Sequence, residues 1–336
     1  MFRNDYSELA APEVLTALAN AANEQNIGYG RDVHTERASA LLSDFFGLNE
    51  QAGVHFLAGG TVANMTVLSY LLRPYQAVIA CDTAHINVHE TGAVEASGHK
   101  ILTVPNVDGK LTAEGVRKVL SSHVDEHMVE PKAVYISFAT ETGSVYSCEE
   151  LYALRDVCKE KNLYLFIDGA RLAVGLYAAN LSPKIIAEVA DVFYAGGTKN
   201  GALYGEAVVI KDPALNQAFR YHIKNRGAML AKGFAVAIQF EALFTNGLYM
   251  RLAKNAVQTA LLLREKLLAL GLEVAPSCTN QQFVTLPKEK ARLLMERYGC
   301  ELWKEGENET VIRFVTSFAS KTEDVLEVAD FLSQSL

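Results

Sequence analysis

Short apolar runs recur through the first 210 residues: 54–57, 77–80, 100–104, 133–138, 163–167, 191–194 and 207–210. Most are apolar almost without a break, so as strands they have no polar face to give to water and must be covered on both sides. Between them lie segments with apolar residues at helical spacing, over 62–72, 112–121 and 149–161. Strands that alternate with helices in this way predict an α/β unit with a mostly parallel sheet. In such a sheet the ligand lies beyond the carboxyl ends of the strands. Three strand ends here carry pointed chemistry: Gly59-Gly60-Thr61 after 54–57, Asp168-Gly169-Ala170-Arg171 after 163–167, and Gly196-Gly197-Thr198-Lys199 after 191–194.

Lys199 stands in a glycine-rich turn, not on an acid-flanked helix face. Glycine lets the backbone come close to a ligand, and a lysine held out of bulk water has a lowered pKa and becomes a usable amine nucleophile. Gly59-Gly60 followed by Thr61, placed as the N-cap of a helix from Val62, aims free backbone N–H groups and the helix dipole at an anion. None of the three is specific alone; their meeting on one edge is what points to a site.

Composition narrows the partners. The chain has 336 residues, enough for two domains, and a formal net charge of -8, which argues against nucleic acid. No apolar run reaches membrane-spanning length, and residues 1–6 lack the apolar core of a signal peptide. Five cysteines without a CxxC pair suggest a reducing, cytoplasmic setting with neither disulfides nor a zinc site.

Around this unit, residues 7–24 predict an amphipathic helix after a short arm, and Gly28-Tyr29-Gly30-Arg31-Asp32 a glycine-bracketed loop. Beyond 210 the character changes. Helices are expected over 233–244 and 248–270, then strands near 282–286, 301–303 and 311–315 with helices at 288–298 and 322–335. That is a smaller α+β unit. The expected division is 1–250 for the large domain, with its N-terminal arm, and 251–336 for the small one.

An aspartate ending one strand, a lysine about 30 residues later past another and an upstream Gly-Gly-Thr are what pyridoxal phosphate (PLP) needs. The lysine carries the cofactor as a Schiff base, the carboxylate keeps the pyridine nitrogen protonated, and the helix start holds the phosphate. The sequence resembles the threonine aldolase and β-eliminating lyase family of fold-type-I, aspartate-aminotransferase-like PLP enzymes. Gly28-Tyr29-Gly30, the run from Ala58 to Asn64, Ala84-His85-Ile86 with Glu90, Asp168-Gly169-Ala170-Arg171, Gly197-Thr198-Lys199 and Arg313-Phe314-Val315-Thr316 carry the resemblance in family order.

The resemblance implies Lys199 as the Schiff-base lysine, Asp168 at the pyridine nitrogen, His85 stacked on the ring, and Gly60 and Thr61 at the phosphate. It implies Arg171 and Arg313 at the substrate carboxylate, a planar anion that suits a guanidinium fork. His127 matches a family histidine near the substrate hydroxyl, and Glu90 a family acid near the cofactor. Tyr29 and Arg226 are implied at the cofactor and substrate of a neighbouring subunit, which makes a homodimer or homotetramer with shared sites the expected form.

Some segments depart from the family pattern. Asn4-Asp5-Tyr6 replaces Ser-Asp-Thr, so Asn4 takes the place of a serine at the substrate. Ala139-Thr140-Glu141-Thr142-Gly143 replaces Glu-Asn-Thr-His. Leu230 stands where an arginine is usual, with Lys224, Arg226 or Lys232 as replacements. The expected activity is cleavage of threonine- or allo-threonine-like β-hydroxy-α-amino acids to glycine and an aldehyde. β-Elimination or transamination on another small amino acid uses the same apparatus, and binding of PLP without turnover is a further alternative. A nucleotide-binding protein is excluded, because Gly59-Gly60-Thr61 is neither GxGxxG nor a P-loop.

Overall fold

All seven apolar runs form strands of one sheet in the computed structural model, which describes residues 1–335. They are β1 (Gly53–Leu57), β2 (Gln76–Cys81), β3 (Ile101–Val104), β4 (Glu130–Ser137), β5 (Tyr164–Asp168), β6 (Val192–Gly196) and β7 (Glu206–Ile210), in the spatial order β1-β7-β6-β5-β4-β2-β3. Among the described strands of this sheet, β7 alone runs opposite to the common direction, antiparallel to both β1 and β6. A parallel partner needs a crossover of a dozen or more residues, and segment 197–205 is too short for one. Because of that reversal, Glu206 opens β7 opposite Gly196 and lies on the edge where β5 and β6 end.

Helix starts follow their capping residues. Ser147 and Glu150 make a reciprocal capping box on the helix Cys148–Glu160, and Thr112 caps Ala113–Ser122. The helix expected over 7–24 covers only Pro12–Asn20. Proline is suited to the first helical turn, and the residue before it is driven out of the α region, so Ala11 is extended. Phe46 packs edge-on against Phe193 of β6 at 4.8 Å, and Phe45 against Phe244 at 5.1 Å, joining helices Val33–Phe46 and Phe234–Phe244 to the sheet.

A second sheet, entirely antiparallel, contains β8 (Glu273–Val274), β9 (Gln281–Pro287), β10 (Glu301–Glu305) and β11 (Glu309–Val315) in the order β10-β11-β9-β8. Its core is separate and includes Val284, Leu286, Ile312, Phe314, Val325 and Val328. The helix Leu248–Ala269 belongs to both units: Leu248, Tyr249, Ala253 and Val257 enter the large core, Leu263 and Leu267 the small one. The expected division at residue 250 falls inside this helix. Phe2 also enters the small core; its N–H donates to the Tyr298 carbonyl, and its own carbonyl accepts from the Val315 N–H. The arm that follows Phe2 is thereby led across to the strand ends of the large sheet.

Candidate active site

A cavity of about 600 Å³ opens at the carboxyl ends of the parallel strands. Lys199, past the end of β6, and Arg171, just beyond β5, line it with Tyr6 of the arm and His85 and His89 from the segment after β2. Glu141 reaches it from beyond β4. Arg313 of β11 and the β10 segment Glu301-Leu302-Trp303 close the side toward the small unit.

Asp168 ends β5 and is buried. Oδ1 accepts hydrogen bonds from the Tyr194 hydroxyl and, at 3.0 Å, from the Ala170 N–H. Oδ2 accepts from the Tyr135 hydroxyl at 2.5 Å and from Asn64 Nδ2 at 2.9 Å. Burial alone would raise this carboxyl's pKa. The charge on His85 and the surrounding donors outweigh it and hold the group below the ordinary value. Asn64 also donates to Glu90 Oε1 at 2.8 Å, and that oxygen meets His85 Nδ1 at 3.0 Å. Burial pulls the His85 pKa down, but Glu90 and Asp168 raise it overall.

Lys199 is depressed in the opposite sense. Removal from water and the nearby Arg171 guanidinium lower its pKa, as a nucleophilic amine requires. The turn that carries it is braced by buried Glu206, which accepts from the Gly197 N–H at 3.1 Å and from the Thr198 hydroxyl at 2.8 Å. Burial pushes Glu206 up to about 8. Glu141 is also raised, by burial and the charge of Asp168, while Ser137 holds its Oε1 at 2.6 Å.

The phosphate position differs in detail from expectation. Helix Gly60–Leu71 is capped by Gly59 and not by Thr61, which sits inside its first turn, and no side chain caps the start. The first-turn N–H groups are therefore left for a ligand. A Cβ on Gly60 would stand 3.2 Å from the Tyr194 hydroxyl.

The other expected positions fall as follows. Arg171 has two nitrogens committed to Asp5, Nε to Oδ2 at 2.7 Å and Nη2 to Oδ1 at 3.0 Å, which leaves Nη1 for a ligand. Asn4 does not line the cavity; its Oδ1 accepts from the Tyr6 N–H and the Ser7 hydroxyl and shapes the turn of the arm. His127 is exposed in the loop before β4, so it lies at the opposite end of that strand from Ser137 and Asp168 and cannot reach its own chain's cavity. The histidine beside His85 is His89, with ring centroids 5.6 Å apart. Tyr29 and Arg226, expected at the site of a neighbouring subunit, lie outside this chain's own cavity. Lys224 lies 4.8 Å over the Tyr29 ring, Arg220 donates to the Tyr29 carbonyl, and Arg226 Nε approaches His222 Nε2 at 3.5 Å.

Tyr135, Tyr194, Asp5, His89, Glu141 and Glu206 were not singled out as site residues by sequence. The two tyrosines carried the clearest signal: a phenol inside an apolar strand needs a partner for its hydroxyl.

The residues present fit PLP. A lysine of lowered pKa, an ionised buried aspartate and an uncapped helix start share one edge. Asn64 Oδ1, Glu90 Oε2, Glu141 Oε2 and Arg313 Nε are buried around it without a partner among the described residues. Although all four acceptor positions of Asp168 are in use, the tyrosine hydroxyls can rotate and yield one.

Comparison with known proteins agrees with this geometry. The low specificity L-threonine aldolase of Pseudomonas sp. (strain NCIMB 10558) is 35% identical over 266 residues, 78% of this chain and 76% of that protein. The solved structure of Leishmania major threonine aldolase matches with a TM-score of 0.97 at 39% identity, covering 99% of this chain and 98% of that one. A Thermus thermophilus aspartate aminotransferase, 17% identical, matches with a TM-score of 0.70 over 98% of this chain and 89% of that one, and shares the fold. The aspartate-aminotransferase-like architecture expected from sequence is the one found. The family model for beta-eliminating lyases matches residues 2–289, and with that span and those relatives the chain belongs to the beta-eliminating lyase family.

Proposed function

We propose that the protein is a PLP-dependent aldolase that cleaves threonine- and allo-threonine-like β-hydroxy-α-amino acids to glycine and an aldehyde. The observation that carries this is the opening of Lys199 and Arg313 on one cavity, with Asp168 held ionised at its edge. Lys199, Asp168, His85 and the first turn of helix Gly60–Leu71 would hold the cofactor. Bound there, PLP supplies the electron sink that lets a bond at the substrate's Cα break.

The chain's own residues account for the rest. Asp168 presents a fixed negative charge and keeps a proton on the group facing it. Glu90 fixes Asn64, which donates to that carboxylate, and His85, whose charge acts on it. Arg313 and the remaining Nη1 of Arg171 hold the substrate carboxylate. His89, exposed at the cavity mouth, takes the β-hydroxyl proton: partial desolvation and the positive charge of His85 lower its pKa, which favours a ring able to accept. Glu141, with its pKa raised, is placed to hold a proton at the cavity wall.

The working form is a homo-oligomer. Tyr29, Arg31, Arg220 and Lys224 line a hollow away from the cavity, and Arg226 ends the helix beside them. Their aromatic and basic character suits the phosphate and substrate of a second copy. The five free cysteines suit the reducing cytoplasm. No helix among the described residues is long and apolar enough to cross a membrane.

Product analysis tests the assignment. Threonine or allo-threonine should yield glycine and acetaldehyde in equal amounts, and Lys199→Ala should abolish the reaction. Pyruvate and ammonia from serine or cysteine, with no acetaldehyde from threonine, would move the enzyme to β-elimination.

A further inference from the structure

We propose that Glu301 is a built-in competitor for the substrate carboxylate at Arg313, and that it sets how tightly the enzyme holds its amino acid. This rests on the reading of Arg313 as a carboxylate-binding group. Glu301 and Arg313 are directly opposed across the β10–β11 pair. Arg313 Nη2 donates to Glu301 Oε2 at 2.5 Å, and Nη1 donates to the neutral amide oxygen of Gln281 at 3.0 Å. Nε is buried and has no hydrogen-bond partner among the described residues. The Trp303 ring lies 5.3 Å from the guanidinium carbon and limits where that plane can turn.

A guanidinium offers a carboxylate two forked edges, Nε with Nη2 and Nη1 with Nη2. Both include Nη2, the nitrogen Glu301 holds. A substrate carboxylate that engages Arg313 bidentately must therefore displace Glu301 or share Nη2 with it. Glu301 is suited to leave. It makes one contact with one oxygen, and its side chain is 35% exposed while that of Arg313 is 16% exposed. The released carboxylate is rehydrated, whereas the arginine stays covered and needs a new anion. The orphaned Nε marks the edge that a substrate would complete. Asp5 differs from Glu301 in being buried and bidentate on Arg171, so it is a fixed counter-ion and not an exchangeable one.

The test measures binding of glycine to the PLP-loaded enzyme by its visible spectrum, together with steady-state kinetics on threonine. Glu301→Gln keeps a hydrogen-bonding side chain and removes the charge. It should tighten glycine binding and lower KM for threonine by about fivefold, the scale of a half-exposed ion pair, with kcat unchanged. Glu301→Ala should tighten binding at least as much. Ethylamine, which has no carboxylate, should bind parent and variants equally. A KM that rises in both variants would show that Glu301 braces Arg313, and equal tightening of ethylamine would show a general field effect; either overturns the proposal. Arg313→Ala separates the layers. If it leaves glycine binding intact, the reading of Arg313 is wrong. If it weakens glycine binding while Glu301→Gln does not tighten it, the competitor role alone is wrong.

Discussion

Arg171 grips Asp5 side-on, through Nε at 2.7 Å and Nη2 at 3.0 Å, and Asn280 completes the carboxylate with a third hydrogen bond at 2.9 Å. The pair fastens the N-terminal arm to the strand edge beside Lys199. It is almost dry: the two side chains are 1% and 10% exposed.

Removing one partner of a buried ion pair strands the other charge, which costs about 3–5 kcal/mol. Asp5→Asn should therefore lower the unfolding free energy by about that amount in urea titrations. Burial raises the Asp5 carboxyl, but Arg171 and Asn280 hold it below the ordinary value of 3.8. A lowered folded pKa means that its contribution is fully present above pH 3.8 and is lost as pH falls through the depressed value. The parent should lose this stability in acid, and Asp5→Asn should lack that part of the acid dependence.

Asp168→Asn should retain the fold, because the amide oxygen can still accept from Tyr194 and Ala170, and the amide nitrogen can donate to the Tyr135 hydroxyl once that hydroxyl turns. The fixed charge goes, and preorganised groups of this kind are worth about 3–4 kcal/mol in the chemical step. Turnover of threonine should fall by about 10²- to 10³-fold, with PLP still bound as judged by absorbance. A variant at nearly the parent rate would remove Asp168 from the mechanism.

His89→Asn should slow glycine release from threonine by about 10²-fold, the low end for an acid–base group. Glycine itself has no β-hydroxyl, so its binding to the loaded enzyme should change little. Equal losses in both measurements would make His89 a structural residue.

A pH-dependent brace lies far from the cavity. His34 is held at 2.7 Å by both Glu24 and Glu241, tying the segment after helix Pro12–Asn20 to helix Phe234–Phe244. Burial lowers the His34 pKa, but the two carboxylates outweigh it and raise it above 6.5. A raised folded pKa gives stability that is fully present below pH 6.5 and is lost as pH rises through the folded value. The stability gap between the parent and His34→Asn should be large at pH 6 and shrink at higher pH. The opposite trend in urea titrations would mean that His34 is neutral in the fold.

The strand ends were legible because the signals there are local. An apolar run, a glycine break and a Lys or Asp at its end can be read within ten residues, and parallel strands bring such ends to one edge. Asp168, Lys199 and Gly60 stand at such ends. His127 is implied only by the resemblance; it precedes β4, so it stands at that strand's amino end, away from the cavity of its own chain. His89 was passed over because its value comes from a cavity assembled by other segments.

The architecture, the class of cofactor and the placing of Lys199 and Asp168 at strand ends were readable from the chain, since hydrophobic periodicity and turn chemistry act between near neighbours. How the charges are paired became visible only once the chain was folded. Asp5 meets Arg171 across 166 positions, Tyr135 and Tyr194 converge on Asp168 from the strands on either side of it, and the register of β10 on β11 sets Glu301 against Arg313. Such pairings depend on strand order, direction and register, which no local stretch of chain encodes.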